Sequence, residues 1–317
     1  MVSVSGESAD EGLKKTDIHI HMLASTDEGG YVSNSLLKRP WSRLISGWLG
    51  LSSRDSGKYV ERLVGYLRES PLDVGVILAC DAIYDDSGEA DPKTSLYVPN
   101  DHVFRVASKY DVLLPGVSVH PNRKDALEEI DRCSQAGAVL VKWLPNAQGI
   151  DPSDSRHRAF YRRLRDCKMP LLSHTGSEFT LRTVSQDFGD PGRLRLALDE
   201  GVTVIAAHCG VSYSGLSARY LGDWLALVRR YPNLYGDLAA LSLGFGGRFI
   251  RRILKDEVAR ERLVNGSDFP VPPIKGVGDF FKRSNPLRRD YEIKKKFGVP
   301  DSVFYRGYRL IRKSQVK

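Results

Sequence analysis

Eight short apolar runs, separated by amphipathic stretches, constrain this sequence more than any other feature. They fall at 16–23, 74–81, 112–119, 138–144, 170–174, 202–208, 234–238 and 262–267. Most are rich in Val, Ile or Leu, and several are continuously apolar, as expected of parallel strands buried on both faces. Helical periodicity fills the intervals at 59–69, 125–136, 155–166, 191–200, 219–231 and 248–258. Several of these stretches open on Ser, Asp or Pro, and Gly137, Gly201 and Pro232 follow three of them, ordinary helix start and stop signals. Strands alternating with helices predict a parallel sheet. Eight such units predict closure into an α/β fold, the (β/α)₈ TIM barrel, wound by right-handed crossovers.

The sequence divides into a flexible polar start at 1–15 and one barrel domain at 16–317. Two segments exceed the minimal barrel. An insertion at 24–56, with Trp41 and Trp48, follows the first strand. A loop of that length at a strand's C-terminal end reads either as a lid or as a packing or subunit-contact extension, which leaves room for a homo-oligomer. A basic, helical extension occupies 276–317 and reads as a solvated surface.

Charge narrows the function classes. The net +8 is all C-terminal: residues 282–317 hold twelve Lys/Arg against three Asp/Glu, and the remainder is close to neutral. An enzyme acting on nucleic acid concentrates positive charge around its site, so a nucleic-acid partner is not expected. No apolar run approaches the ~20 residues of a membrane span. Four cysteines without a C-x-x-C pair suit reduced thiols. With no apolar leader at its start, the chain reads as a soluble cytoplasmic protein.

The chemistry concentrates at strand ends. Asp17-Ile-His19-Ile-His21 lies in the first run, and alternation along a strand puts His19 and His21 on one face, a half-site for a divalent metal. Asp17 shares that parity and is expected to support the pair. His174 closes the fifth run, His208 the sixth, and Asp268 follows the eighth. Barrel active sites are built at those ends, and this donor set suits Zn, Mn, Fe or Co.

These residues give the chain its resemblance to the amidohydrolase superfamily, in particular its amidohydrolase-related branch. The resemblance implies metal ligation by His19, His21, His174 and Asp268, with Zn²⁺ first among the candidate ions. His208 would hold the attacking water or a second ion, and Asp268 would also take the water's proton. A divalent ion lowers the pKa of water towards ~7 and polarises a carbonyl, while a nearby carboxylate can shuttle the proton. Lys142, in the fourth run, matches a lysine that is carboxylated in two-metal members; one ion with a charged Lys142 facing an anionic substrate group is the favoured reading here, and two ions are the alternative. From position, His120, Glu178, Tyr84 and Tyr213 are expected to contact substrate, and His102 and His157 to lie at the surface.

The resemblance therefore implies a metal-dependent hydrolase that cleaves a C–N or C–O bond, in an amide, lactone or ester of a small molecule. A metal-dependent decarboxylase of the same branch is the first alternative. A deoxyribonuclease of the TatD type comes after it, because Val141-Lys142-Trp143 stands where that family expects a glutamate.

Overall fold

The computed structural model describes residues 12–49, 55–212, 217–273 and 284–312. The eight apolar runs become eight parallel strands: β1 (Thr16–His21), β2 (Val74–Leu78), β3 (Leu113–Val117), β4 (Leu140–Trp143), β5 (Leu171–His174), β6 (Val204–Ala207), β7 (Leu234–Asp237) and β8 (Leu263–Val264). Each pairs with the next in chain order. The ring closes where Ile18 N donates to Asn265 O at 3.1 Å, Asp268 N to His19 O at 2.9 Å, and His21 N to Phe269 O at 2.7 Å. β8, the least apolar of the runs, is also among the shortest strands.

Alternation sorts the side chains. Ile18, Leu140, Leu172, Ile205 and Val264 meet inside the barrel, while Ile20, Val141, Leu171 and Val204 face outward into the larger core beneath the helices. The interior is thus a packed apolar layer, as TIM barrels require. Above it, towards the strands' C-terminal ends, the inward positions turn polar: His19, Lys142, His174 and Asp237 are all buried.

β1 departs from the predicted parity. Its pairing with β2 slips by one residue between Asp17 and Ile20, a β-bulge. Ile18 therefore joins the interior cluster, and Asp17 does not share the face of His19 and His21. Its Oδ1 instead accepts the backbone amides of His19 at 3.0 Å and Ser267 at 2.9 Å, which lock β1 to the end of β8.

The insertion after β1 folds into α1 (Asn34–Leu37) and α2 (Pro40–Leu49); α3 (Ser56–Arg68) then leads to β2. Helices also form at α4 (Asn100–Ala107), α5 (Ala126–Gln135), α6 (Arg158–Asp166), α7 (Arg195–Asp199), α8 (Leu221–Arg230) and α9 (Gly247–Leu254). Among the described residues no helix is long and apolar enough to cross a membrane.

The basic extension differs from its prediction. Its described part forms α10 (Pro286–Lys296) and α11 (Asp301–Arg312), and neither is simply a solvated surface. Leu310 and Ile311 of α11 close the interior cluster beside Ile18. On α10, Lys294 is fully buried and donates to Asp290 Oδ2 at 2.6 Å, Gly266 O at 2.6 Å and Asn265 Oδ1 at 2.9 Å, pinning the helix to the loop that carries Asp268. His102 and His157, expected at the surface, are buried too.

Removing one partner of a buried pair strands the other charge, a loss of about 3–5 kcal/mol. Lys294→Met is expected to lower unfolding stability by about that amount in urea, and adding Asp290→Asn to recover part of it. Equal stability of Lys294→Met and wild type would show that the pair is dispensable.

Candidate metal centre

Three donor atoms from the two ends of the barrel sequence converge on one point. His19 Nε2 lies 3.2 Å from His21 Nε2 and 3.2 Å from Asp268 Oδ1, and His21 Nε2 lies 3.1 Å from that same oxygen. Donors sharing one divalent ion at about 2.0–2.2 Å stand about 3.0–3.5 Å apart, so the triangle has the right size for an ion. Among the described residues these three form the one group of clustered metal-type donors.

The tautomer of His19 is fixed from behind. Its Nδ1 donates to Asp237 Oδ2 at 2.7 Å, which leaves the Nε2 lone pair facing the other donors. Burial, and then the charge of Lys142, hold the His19 imidazole well below its ordinary pKa, so it stays neutral. Burial alone would raise Asp268, but the contact with His19 and the hydrogen bond from His21 outweigh it and hold the carboxyl well below the usual carboxylate range, so it is ionised. A neutral imidazole and an ionised carboxylate are the ligand states a metal needs.

His174 and His208 complete the ring of imidazoles. Their ring centroids are 5.0 Å apart, and His208 is 5.4 Å from His19. His208 Nδ1 donates to Ala239 O at 2.9 Å, which turns Nε2 into the available acceptor. His174 Nε2 is buried without a hydrogen-bond partner, and the residue borders the same cavity. A buried nitrogen with a free lone pair beside such a triangle suits a further metal ligand or a contact to water. Glu178 Oε2 is 3.8 Å from it, while Oε1 of that residue is held by the amides of Thr180 and Leu181; burial raises the carboxyl pKa.

Lys142 lies among these groups but not on the cavity. It is fully buried, and its Nζ donates to His19 Nε2 at 2.9 Å. Burial, only partly opposed by Asp237 and Asp268, lowers its pKa to about 8. The lysine and an ion would thus draw on the same imidazole lone pair.

Two expected substrate contacts lie elsewhere. His120 donates from Nε2 to Gln148 O at 3.0 Å and accepts the amide of Asn122 at Nδ1, so the backbone consumes both ring nitrogens. Tyr84 packs on His120, with its ring centroid 5.3 Å away, under the Arg123 guanidinium. Neither is among the residues lining the cavity above the donors. Tyr213 falls outside the described residues.

Asp237 is the residue that sequence reasoning overlooked, although it closes the seventh run just as His174 closes the fifth. Its Oδ1 accepts the amides of His208 at 2.7 Å and Ala239 at 3.1 Å. His208 and Asp268 both sit at positive φ, 62° and 66°, where a side chain costs about 1–2 kcal/mol. Strain of this kind collects at functional sites.

The insertion roofs the donors. Leu36, Leu37, Ser42, Ile45 and Ser46 line a cavity of about 170 Å³ whose floor is His21, His174, Glu178, His208 and Asp268. Arg39 Nη1 latches this roof by donating to Thr180 O at 2.7 Å and Phe179 O at 3.1 Å, in the turn that holds Glu178.

The family model described as amidohydrolase (Amidohydro_2) matches residues 16–298. The chain belongs to the amidohydrolase family. Solved structures agree in fold. An uncharacterised TIM-barrel protein from Bordetella bronchiseptica is 18% identical, with a TM-score of 0.65, over 95% of this chain and 99% of its own. A putative 2-pyrone-4,6-dicarboxylic acid hydrolase from Pseudomonas putida is 15% identical, with a TM-score of 0.62, over 96% and 99%. The 5-carboxyvanillate decarboxylase LigW from Sphingomonas paucimobilis is 10% identical, with a TM-score of 0.57, over 95% and 99%. Among curated proteins no significant match was found. Enzymes of this family act on small molecules and typically bind a divalent metal, and the His19–His21–Asp268 triangle is a group that could hold one.

Loss of the residue behind a metal-ligating histidine typically weakens metal binding about 10–100-fold. Asp237→Asn is therefore expected to lower affinity for Zn²⁺ by about that factor in a competition titration with a chromogenic chelator. Unchanged affinity would show that His19 needs no orienting carboxylate.

Proposed function

We propose that this amidohydrolase is a metal-dependent hydrolase that cleaves a C–N or C–O bond of a small molecule. The observation that carries the reading is the triangle of His19, His21 and Asp268, of which His21 and Asp268 stand at the floor of a roofed cavity. Its two imidazoles and one carboxylate, with His174 as the next donor, suit Zn²⁺, and Mn²⁺, Fe²⁺ or Co²⁺ would also be accepted. A divalent ion held there would supply Lewis acidity and make water a stronger acid.

The side chains have separable tasks in this scheme. Asp268 is ionised, borders the cavity and can accept a proton from the attacking water. The same carboxyl then returns the proton to the leaving nitrogen or oxygen as the scissile bond breaks, so its charge is restored. His208 presents a fixed Nε2 acceptor that orients the water. The largely aliphatic roof lowers the polarity around the floor, which strengthens each of these interactions.

We favour one ion. Lys142 as an ammonium disfavours a second cation, and its place on His19 Nε2, off the cavity, suits a group that tunes that ligand better than one that touches substrate. The cytoplasm is the compartment we propose, on the four free thiols. Decarboxylation is the second reading; it draws on the fold shared with 5-carboxyvanillate decarboxylase and on family membership.

Asp268→Asn should reduce turnover by about 10²–10⁴ with the fold intact, and more if metal is also lost. Product analysis decides the reaction: a hydrolase consumes water and yields an acid with an amine or alcohol, whereas release of CO₂ marks the decarboxylase. Lys142→Ala should retain one metal per chain by elemental analysis. Two metals in wild type, falling on that substitution, would point to a carboxylated lysine that bridges them.

A further inference from the structure

The reading of the donor triangle as the reacting centre leaves open what the rest of the substrate looks like, and the walls of the cavity address that. Above the polar floor the surface is mostly aliphatic, with Leu36, Leu37, Ile45, Leu96, Leu144 and Leu181, and the side chains of Ser42, Ser46 and Thr180 are its neutral polar members. Among the described residues lining it, none is an arginine or a lysine. Two nearby cations among the described residues are already engaged: Lys142 is buried with its Nζ on His19 Nε2, and Arg39 faces the carbonyls of the 179–181 turn. The acidic side chains on the floor, Glu178 and Asp268, offer an anion no attraction of their own.

A remote anion on the substrate would thus lose its water against a largely aliphatic wall and, among the described residues lining it, meet no cation, which is unfavourable. The volume sets the size. A cavity of about 150 Å³ lined by aliphatic side chains admits benzene, and this one is about 170 Å³. We infer that the substrate carries a neutral, apolar body about the size of a single ring, with no anionic group away from the bond that reacts. This replaces the anionic substrate expected from Lys142, and it rests on the proposed site while being testable apart from its chemistry.

The test compares two amides on the metal-loaded, full-length protein. Benzamide is neutral, and 4-carbamoylbenzenesulfonate is the same ring with an anion opposite the amide; a sulfonate is also a poor metal ligand. Binding is measured by calorimetry, with ligand-observed NMR as a check. Benzamide is expected to bind at least about tenfold more tightly. Leu37→Arg should narrow that gap by giving the sulfonate a partner, and Leu37 is only partly buried, so the longer side chain can be accommodated. Equal or tighter binding of the sulfonate to wild type would overturn the inference, as would no binding of benzamide up to about 10 mM. If neither amide is cleaved while the gap persists, the proposed reaction fails and the inference about the walls stands.

Discussion

The carboxylate of Asp237 is the constraint on which the site depends. It is fully buried, a costly state for a carboxylate, and three donors offset the cost: His19 Nδ1 and the backbone amides of His208 and Ala239. These contacts tie β7 to β1 and to the end of β6. They fix the His19 tautomer and hold His208 in its left-handed turn. Gly266 makes the arrangement sterically possible, because a Cβ there would come within 2.7 Å of His19 Cβ and 3.1 Å of Asp237 Oδ2. One side chain thus sets the direction of two others.

Around this anchor the barrel is layered by polarity. An aliphatic layer fills the ring below, the buried polar groups lie above it, and an aliphatic roof returns over the mouth. The polar layer is therefore enclosed between two apolar ones, where charge interactions are stronger than in water. Enclosure keeps His19 neutral, and the contact with the two histidines keeps Asp268 ionised in spite of it. Arg39 joins the roof to the turn around Glu178 through the carbonyls of 179–181.

Much of this was legible in the sequence, and the exceptions have physical reasons. The eight strands were readable because both faces of each are buried, which leaves uninterrupted apolar runs. His19 and His21 were readable because alternation carries them to one face. The bulge at Ile18 was not, since a one-residue slip leaves no compositional mark, and it removed Asp17 from the face predicted for it. His120 lay beyond reach for another reason: its partners are a carbonyl at Gln148 and an amide at Asn122, backbone groups that every sequence possesses. Lys294 looked like a solvated charge because its helix is basic throughout; only the packed structure distinguishes the one lysine that turns inward.

The origin of the donor triangle in the chain has a consequence for biosynthesis. His21 and Asp268 are separated by 247 positions, and between them the chain must pass through β2 to β8. A ribosome-bound nascent chain therefore exposes a bare His-x-His pair long before its carboxylate partner exists. The complete triangle has to wait until β8 has emerged and closed against β1. Assembly of the donor group in this architecture is thus a late event, set by ring closure.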